Sequence, residues 1–142
     1  MIALDTNMLV YAHRTEMSWH IPAKKLIQEL FDGDAPWAIP VACVHEFLSV
    51  VTRVPKPTSA EQAVMQIKEW LLSPSVKLLH STAHHLEALE RVVVSGQARG
   101  GQIHDARIVA ICLEHGVREL WTVDRDFARF PLLQSRNPLL QA

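Results

Sequence analysis

Asp5, Glu46, Asp105 and Asp124 are the residues of this chain whose types and positions could do chemistry together. Asp5 and Asp124 each follow a short apolar run, whereas Glu46 and Asp105 sit inside apolar helical patterns. Carboxylates gathered in one cleft repel each other and raise one another's pKa, so a divalent cation is what normally makes such a cluster tolerable. The pattern points to a metal site built from these four acids. Asp126 is the alternative to Asp124: an extended segment would put both on one side, and helical geometry would turn Asp126 away. Thr6, Asn7 and Thr122 are neutral oxygen donors beside the acids, able to support a metal-bound water or a phosphate oxygen, although capping and turn formation explain them equally well.

Each acid also has an ordinary structural reading. Asp5 and Asp124 would be helix N-caps. Glu46 and Asp105, each beside a core face, would need a basic partner such as Arg53 or Arg107. Any one of these readings is reasonable alone; four in one chain favour a shared site.

Other chemistry is less well supported. His80 and His84 have the i, i+4 spacing that can place two zinc ligands on one helix face, but a helix start falls between them. His45 and His104 directly precede Glu46 and Asp105, and adjacent helical residues point about 100 degrees apart. Trp19, Trp37, Trp70 and Trp121 could stack on bases, yet such residues more often belong to cores and interfaces. Cys43 and Cys112 fit no paired zinc spacing and read as small hydrophobes suited to a reducing cytoplasm.

The elements that must position the acids follow from periodicity and punctuation. Ile2 to Leu4 reads as a strand, with Asp5-Thr6-Asn7 capping a helix through Met8, Leu9, Tyr11 and Ala12. Ser18 opens a second helix that Asp32-Gly33-Asp34 closes. Trp37 to Ile39 is a strand, and Val41 to Arg53 is a helix too apolar for the surface, ended by Pro55 and Pro57. Thr58 and Ser59 offer overlapping capping boxes with Glu61 and Gln62 for a helix that ends near Ser73-Pro74. Val76 to Leu79 is a third strand, followed by a helix with Ser81 or Thr82 as N-cap and Gly96 as its stop. Gly96 to Gly101 is a loop, Gln102 to His115 an apolar helix, and Leu120 to Val123 a strand. Asp124 to Phe127 opens a final turn or short helix, and Pro131 and Pro138 bracket a last strand around Leu133 to Ser135. Strands alternating with helices predict a parallel sheet covered on both faces. In such a sheet the usual site lies beyond the carboxyl ends of the strands, where Asp5 and Asp124 would emerge.

The chain has 142 residues, enough for one domain with one sizeable core. Its 49% hydrophobic and 20% charged residues exclude a disordered polyelectrolyte. A formal net charge of -1 supplies no global attraction to nucleic acid, so a phosphate partner would be held by a local basic patch or through metal. Arg14, Arg53, Lys56, Arg99, Arg107 and Arg125 are candidates for phosphate contacts. No apolar stretch reaches the roughly 20 residues a bilayer requires, and the start lacks a secretory pattern, so a soluble, cytoplasmic protein without a membrane partner is expected.

Taken in order, Ala3-Leu4-Asp5-Thr6-Asn7, Glu46-Phe47, His104-Asp105-Ala106 and Leu120 to Phe127 resemble the PIN-domain ribonucleases, in particular the VapC-type toxins of prokaryotic toxin-antitoxin pairs. Arg129-Phe130-Pro131 and Arg136-Asn137-Pro138-Leu139 also look like that family. The resemblance covers nearly the whole chain and implies one PIN domain over residues 1–142. It implies a three-layer α/β fold with a central parallel sheet of about five strands flanked by helices. It further implies that Asp5, Glu46, Asp105 and Asp124 hold Mg²⁺ or Mn²⁺, that the chain forms a homodimer, and that a small VapB-type antitoxin inhibits it.

The expected activity is metal-assisted hydrolysis of an RNA phosphodiester. The alternative from another class is a PIN-fold module that binds RNA or a partner protein without cutting. A DNA nuclease would share the metal logic. A phosphotransferase with Asp5 as nucleophile fits poorly, because no second aspartate follows two residues on.

Overall fold

The computed structural model describes residues 1–140. Short apolar runs form the strands: β1 (Ile2–Leu4), β2 (Trp37–Pro40), β3 (Val76–Leu79), β4 (Glu119–Trp121) and β5 (Gln134–Arg136). They assemble into one sheet of order β3-β2-β1-β4-β5, and every pairing is parallel. All residues of β1 and β2 are buried, which requires cover on both faces of the sheet. That cover comes from α1 (Thr6–His13), α2 (His20–Asp32), α3 (Val41–Arg53), α4 (Ala60–Trp70), α5 (His85–Gly96) and α6 (Gln102–Glu114).

Strand order makes β1 the pivot. From it the chain steps outward to β2 and β3 on one side, then returns to lay β4 and β5 on the other. Such a reversal leaves a crevice outside the carboxyl ends of the two central strands. Backbone bonding continues beyond the strand ends there: Asp5 N–H donates to the Trp121 carbonyl at 3.0 Å and Thr122 N–H to the Arg136 carbonyl at 2.9 Å. Asp5 and Thr122 are therefore anchored to the sheet, whereas Val123, expected within β4, has already left it. The last strand is likewise displaced by one residue from its expected position, with Leu133 buried just ahead of it.

Capping shows how local chemistry chose among registers. Ser59 caps α4 by accepting from Gln62 N–H at 3.1 Å, which selects the second of the two expected boxes. Neither Ser81 nor Thr82 caps α5, which starts later, at His85. Thr82 is drawn to Glu114 instead, with its N–H and hydroxyl both donating to Glu114 Oε1 at 2.7 Å. Burial works against the Glu114 charge, but bonds from His85 and Thr82 outweigh it and hold the carboxyl below its ordinary range.

Gly96 ends α5 as expected, but not as its left-handed cap. It is the last residue of α5, and Gln97, not a glycine, takes the left-handed position at φ 50°. Gln97 N–H bonds to the Val94 carbonyl and Ala98 N–H to the Val93 carbonyl, the pattern of a Schellman motif. Glycine is needed at 96 because a Cβ there would stand 2.6 Å from Phe130 Cδ1, and the Phe130 ring is itself packed in the core. Gly96→Ala is accordingly expected to destabilise the protein by about 1–3 kcal/mol through overpacking, read as a lower denaturation midpoint with an unchanged m-value.

Candidate functional site

Four elements deliver the four acids to one place. Asp5 ends β1 and caps α1, Glu46 lies mid-way along α3, Asp105 is in the first turn of α6, and Asp124 follows β4. All four line a single cavity of about 220 Å³, together with Thr6, Asn7, Val10, Tyr11, Val50 and Phe127. The capping readings for the aspartates also hold: Asp5 Oδ1 accepts from Thr6 N–H and Asp124 Oδ1 from Asp126 N–H, each at 2.8 Å. Capping and cavity-lining are compatible because each cap uses one carboxylate oxygen.

The expected basic partners are not there. Among the described residues no ion pair involves Glu46 or Asp105. Arg53 instead donates to Ser49 Oγ at 2.9 Å, and Arg107 keeps a buried Nε without a partner. His45 and His104 are exposed, turned away from the acids that follow them. Arg14 is buried and committed to Glu16, Thr58 Oγ1 and the Pro55 carbonyl, so it is not free for phosphate. Trp37 is fully buried with its indole N–H on Ser73, and Trp70 packs edge-on to Phe47; neither can reach a base.

Asp5 is the most constrained of the acids, with 4% of its surface exposed. Thr122 Oγ1 donates to its Oδ2 at 2.7 Å, and Asn7 Nδ2 reaches the same oxygen at 3.3 Å. The Thr122 hydroxyl in turn accepts from Asn7 Nδ2 at 3.1 Å and from Asp124 N–H at 3.0 Å. Cys43 Sγ lies behind the acid, 3.8 Å from Oδ1, its thiol kept protonated by burial and by the Asp5 charge. Thr6 lines the cavity with a buried hydroxyl that has no partner. The cysteine and the aromatic wall at Tyr11 were not anticipated as site residues, although Tyr11 stands one helical turn after Asn7 and so shares its face.

Electrostatics follow from this crowding. Burial pushes the Asp5 carboxyl up to about 7, with the Glu46 and Asp105 charges adding to the shift and the Thr122 and Thr6 bonds opposing it. Asp105 is pushed up to about 6 by burial, then by the charges of Asp124, Glu46 and Asp126. Asp124 acts on Asp105 more strongly than Asp126 does, and Asp126 is exposed and does not line the cavity. Among the described residues, no three His, Cys, Asp or Glu side chains are gathered tightly enough to grip an ion directly. The donor set still fits a hard divalent cation. Mg²⁺ keeps most of its waters and uses one or two carboxylates, and a cavity of this size with four carboxylates on its wall has room for such a hydrated ion.

This chain matches the PIN domain family over residues 2–133. It belongs to the PIN domain family. Among its PIN-domain relatives, ribonuclease VapC43 of Mycobacterium tuberculosis is 33% identical over 142 residues, spanning 98% of this chain and 96% of the relative. Ribonuclease VapC37 of the same species is 28% identical, spanning 89% and 90%. The fold recurs in the toxin VapC20 of M. tuberculosis, described as cleaving the sarcin-ricin loop, with TM-score 0.68, 20% identity and coverage of 90% and 93%. It recurs again in FitAcB of Neisseria gonorrhoeae, with TM-score 0.70, 17% identity and coverage of 97% and 98%. The PIN fold expected from the sequence, a five-stranded parallel sheet flanked by helices, is thus the fold observed.

The raised carboxyls carry a pH signature. Because the folded protein holds protons on Asp5 and Asp105 more tightly than the unfolded chain, stability falls as pH rises from about 4, the ordinary carboxylate value, to about 7. The lowered carboxyls of Glu16, Glu114 and Glu119 are already ionised in the upper part of that window and leave its slope unchanged. Thermal melting of metal-free protein is expected to show a Tm that drops between pH 5 and pH 8. Added Mg²⁺ should raise Tm at pH 8 and have little effect at pH 5; a flat profile, or an equal Mg²⁺ effect at both pH values, would contradict this reading.

Proposed function

We propose that this protein is the ribonuclease toxin of a VapBC-type toxin-antitoxin pair, hydrolysing RNA phosphodiester bonds with Mg²⁺ or Mn²⁺. The observation that carries the proposal is the convergence of four carboxylates, from four separate elements, on one cavity at the carboxyl edge of the sheet. The VapC ribonucleases among its relatives give the substrate class. Bound in the cavity, the cation would polarise a phosphoryl oxygen and lower the pKa of the attacking water.

The side chains divide the work. Asp5 and Asp105 would be the principal ligands, the two acids that burial and neighbouring carboxylates leave most in need of positive charge. Glu46 and Asp124, on the same cavity wall, would help to hold the cation and orient the attacking water. Thr122 and Asn7 hold Asp5 in register, since both bond to the oxygen that the cap leaves free.

Similar solved structures include the VapBC complexes of Rickettsia felis and Salmonella typhimurium, which supports a VapB-type antitoxin as the cognate inhibitor here. The working unit is a homodimer of single-domain chains acting in the cytoplasm. None of the described helices is long and apolar enough to cross a membrane.

Incubation of a total RNA pool with Mg²⁺ or Mn²⁺ tests the proposal. Discrete cuts are expected from the wild type and none with EDTA. Thr122→Val, which frees Asp5 from its orienting hydroxyl, should slow cutting by about 10- to 100-fold. Asp5→Asn and Asp105→Asn should each cost more than that. Absence of cuts from folded, antitoxin-free protein would favour a non-catalytic binding module, and cuts indifferent to Asp105→Asn would place the activity elsewhere.

A further inference from the structure

Beside the acid cavity lies a larger pocket, of about 620 Å³, that hydrolysis as described does not use. Tyr11 and Asp124 line both, so the two adjoin. The larger one has a different chemistry. Trp19 packs at a tilt against Tyr11 on its wall, with ring centroids 6.1 Å apart and planes inclined by 42°, and Arg125 and Arg136 bring positive charge. Its size is that of a small-molecule or nucleotide site.

Trp19 is held in place. It precedes α2, its carbonyl accepting from Ala23 N–H at 3.0 Å. The chain before it is folded into a turn by bonds from Met17 N–H to the Arg14 carbonyl and from His20 N–H to the Met17 carbonyl. The adjacent His20 donates from Nδ1 to the Tyr11 carbonyl at 2.9 Å, tying the turn to α1. The indole is half-buried, and its N–H has no partner among the described residues. A large aromatic face fixed at the rim of a polar pocket, with a free donor at its edge, is more than core packing requires.

The cations differ in availability. Arg136 is engaged, its Nε bonded to Glu119 at 3.0 Å and its guanidinium 5.0 Å over the Trp121 ring. Arg125 is exposed and forms no ion pair among the described residues, directly beside Asp124. An exposed, unpaired cation on the same pocket wall as an aromatic face suits a strand whose phosphates and bases alternate.

We propose that this pocket is a nucleobase subsite, in which an unpaired RNA base next to the scissile phosphate stacks on Trp19. The assignment of the scissile phosphate to the acid cavity rests on the nuclease reading, whereas stacking itself requires no cleavage. Duplex RNA keeps its base faces occupied, so the subsite selects single-stranded loops and ends. Trp19 is then a substrate-binding residue that contributes to site selection and takes no part in the chemistry.

The test is binding with EDTA present, so that its outcome is separate from that of cleavage. The probes are a fluorescein-labelled RNA hexanucleotide of mixed sequence and its abasic counterpart, followed by fluorescence anisotropy. Wild type is expected to bind the base-bearing strand more tightly. Trp19→Leu, which keeps apolar bulk but no aromatic face, should weaken binding of that strand by about 5- to 150-fold and leave the abasic strand unchanged. Trp19→Phe should restore most of the affinity. Equal binding of the two strands by wild type, equal loss on both strands in Trp19→Leu, or no loss at all would each overturn the proposal. If binding behaves as expected while total RNA stays uncut, the subsite stands and the nuclease reading falls.

Discussion

The burial of Asp5 at the end of the central strand is the constraint on which the rest of the site depends. A carboxylate with so little access to water has lost most of its hydration, and three N–H and O–H donors replace it: the Thr6 amide, the Thr122 hydroxyl and the Asn7 amide group. Those donors come from the start of α1 and the end of β4, so satisfying Asp5 also fixes the β1 and β4 ends against each other. Thr122 then carries the constraint onward by accepting from Asp124 N–H. A single buried acid thereby organises both edges of the crevice. Such an arrangement is costly in the absence of a counter-charge, because the bonds offset only part of the desolvation.

The fold serves this placement. A parallel sheet whose order reverses at its centre puts two loop ends side by side, and helices entering from both flanks add one acid each. The half-buried Glu46 and Asp105 are carried on rigid helices whose opposite faces are in the core, with Phe47 and Ala106 as fully buried neighbours. Stability and function are in tension in this region. The apolar packing that holds the helices also desolvates the acids and raises Asp5 and Asp105 well above ordinary carboxylates.

Much of this was legible in the sequence because short apolar runs and strong helical periodicity read reliably. Each strand and helix was recognised, and the chain order of the acids was enough to suggest convergence. What could not be read depends on contacts made at a distance. Thr82 was a plausible cap by type, but Glu114, thirty-two residues away, competes for its donors. Gly96 does end its helix, but the reason that only glycine fits there is the Phe130 ring arriving from another part of the chain. Arg14 was free on paper and is enclosed in the fold, because the loop after α3 closes over it. Asp124 and Asp126 were ambiguous until the backbone turned into a short 3-10 helix, which directs one toward the cavity and the other outward. Cys43 could be identified as buried, but its contact with Asp5 requires the register of α3 on the sheet.

The central claim is that the acid cavity cuts RNA by way of a cation bound to its carboxylates. It is tested most directly by titrating metal-free protein with Mn²⁺, following bound ion by electron paramagnetic resonance and RNA cleavage on the same samples. Cleavage is expected to rise in step with occupancy of a site that Asp105→Asn abolishes. Cleavage that proceeds before Mn²⁺ is bound, or Mn²⁺ binding that is unchanged in Asp105→Asn, would contradict it.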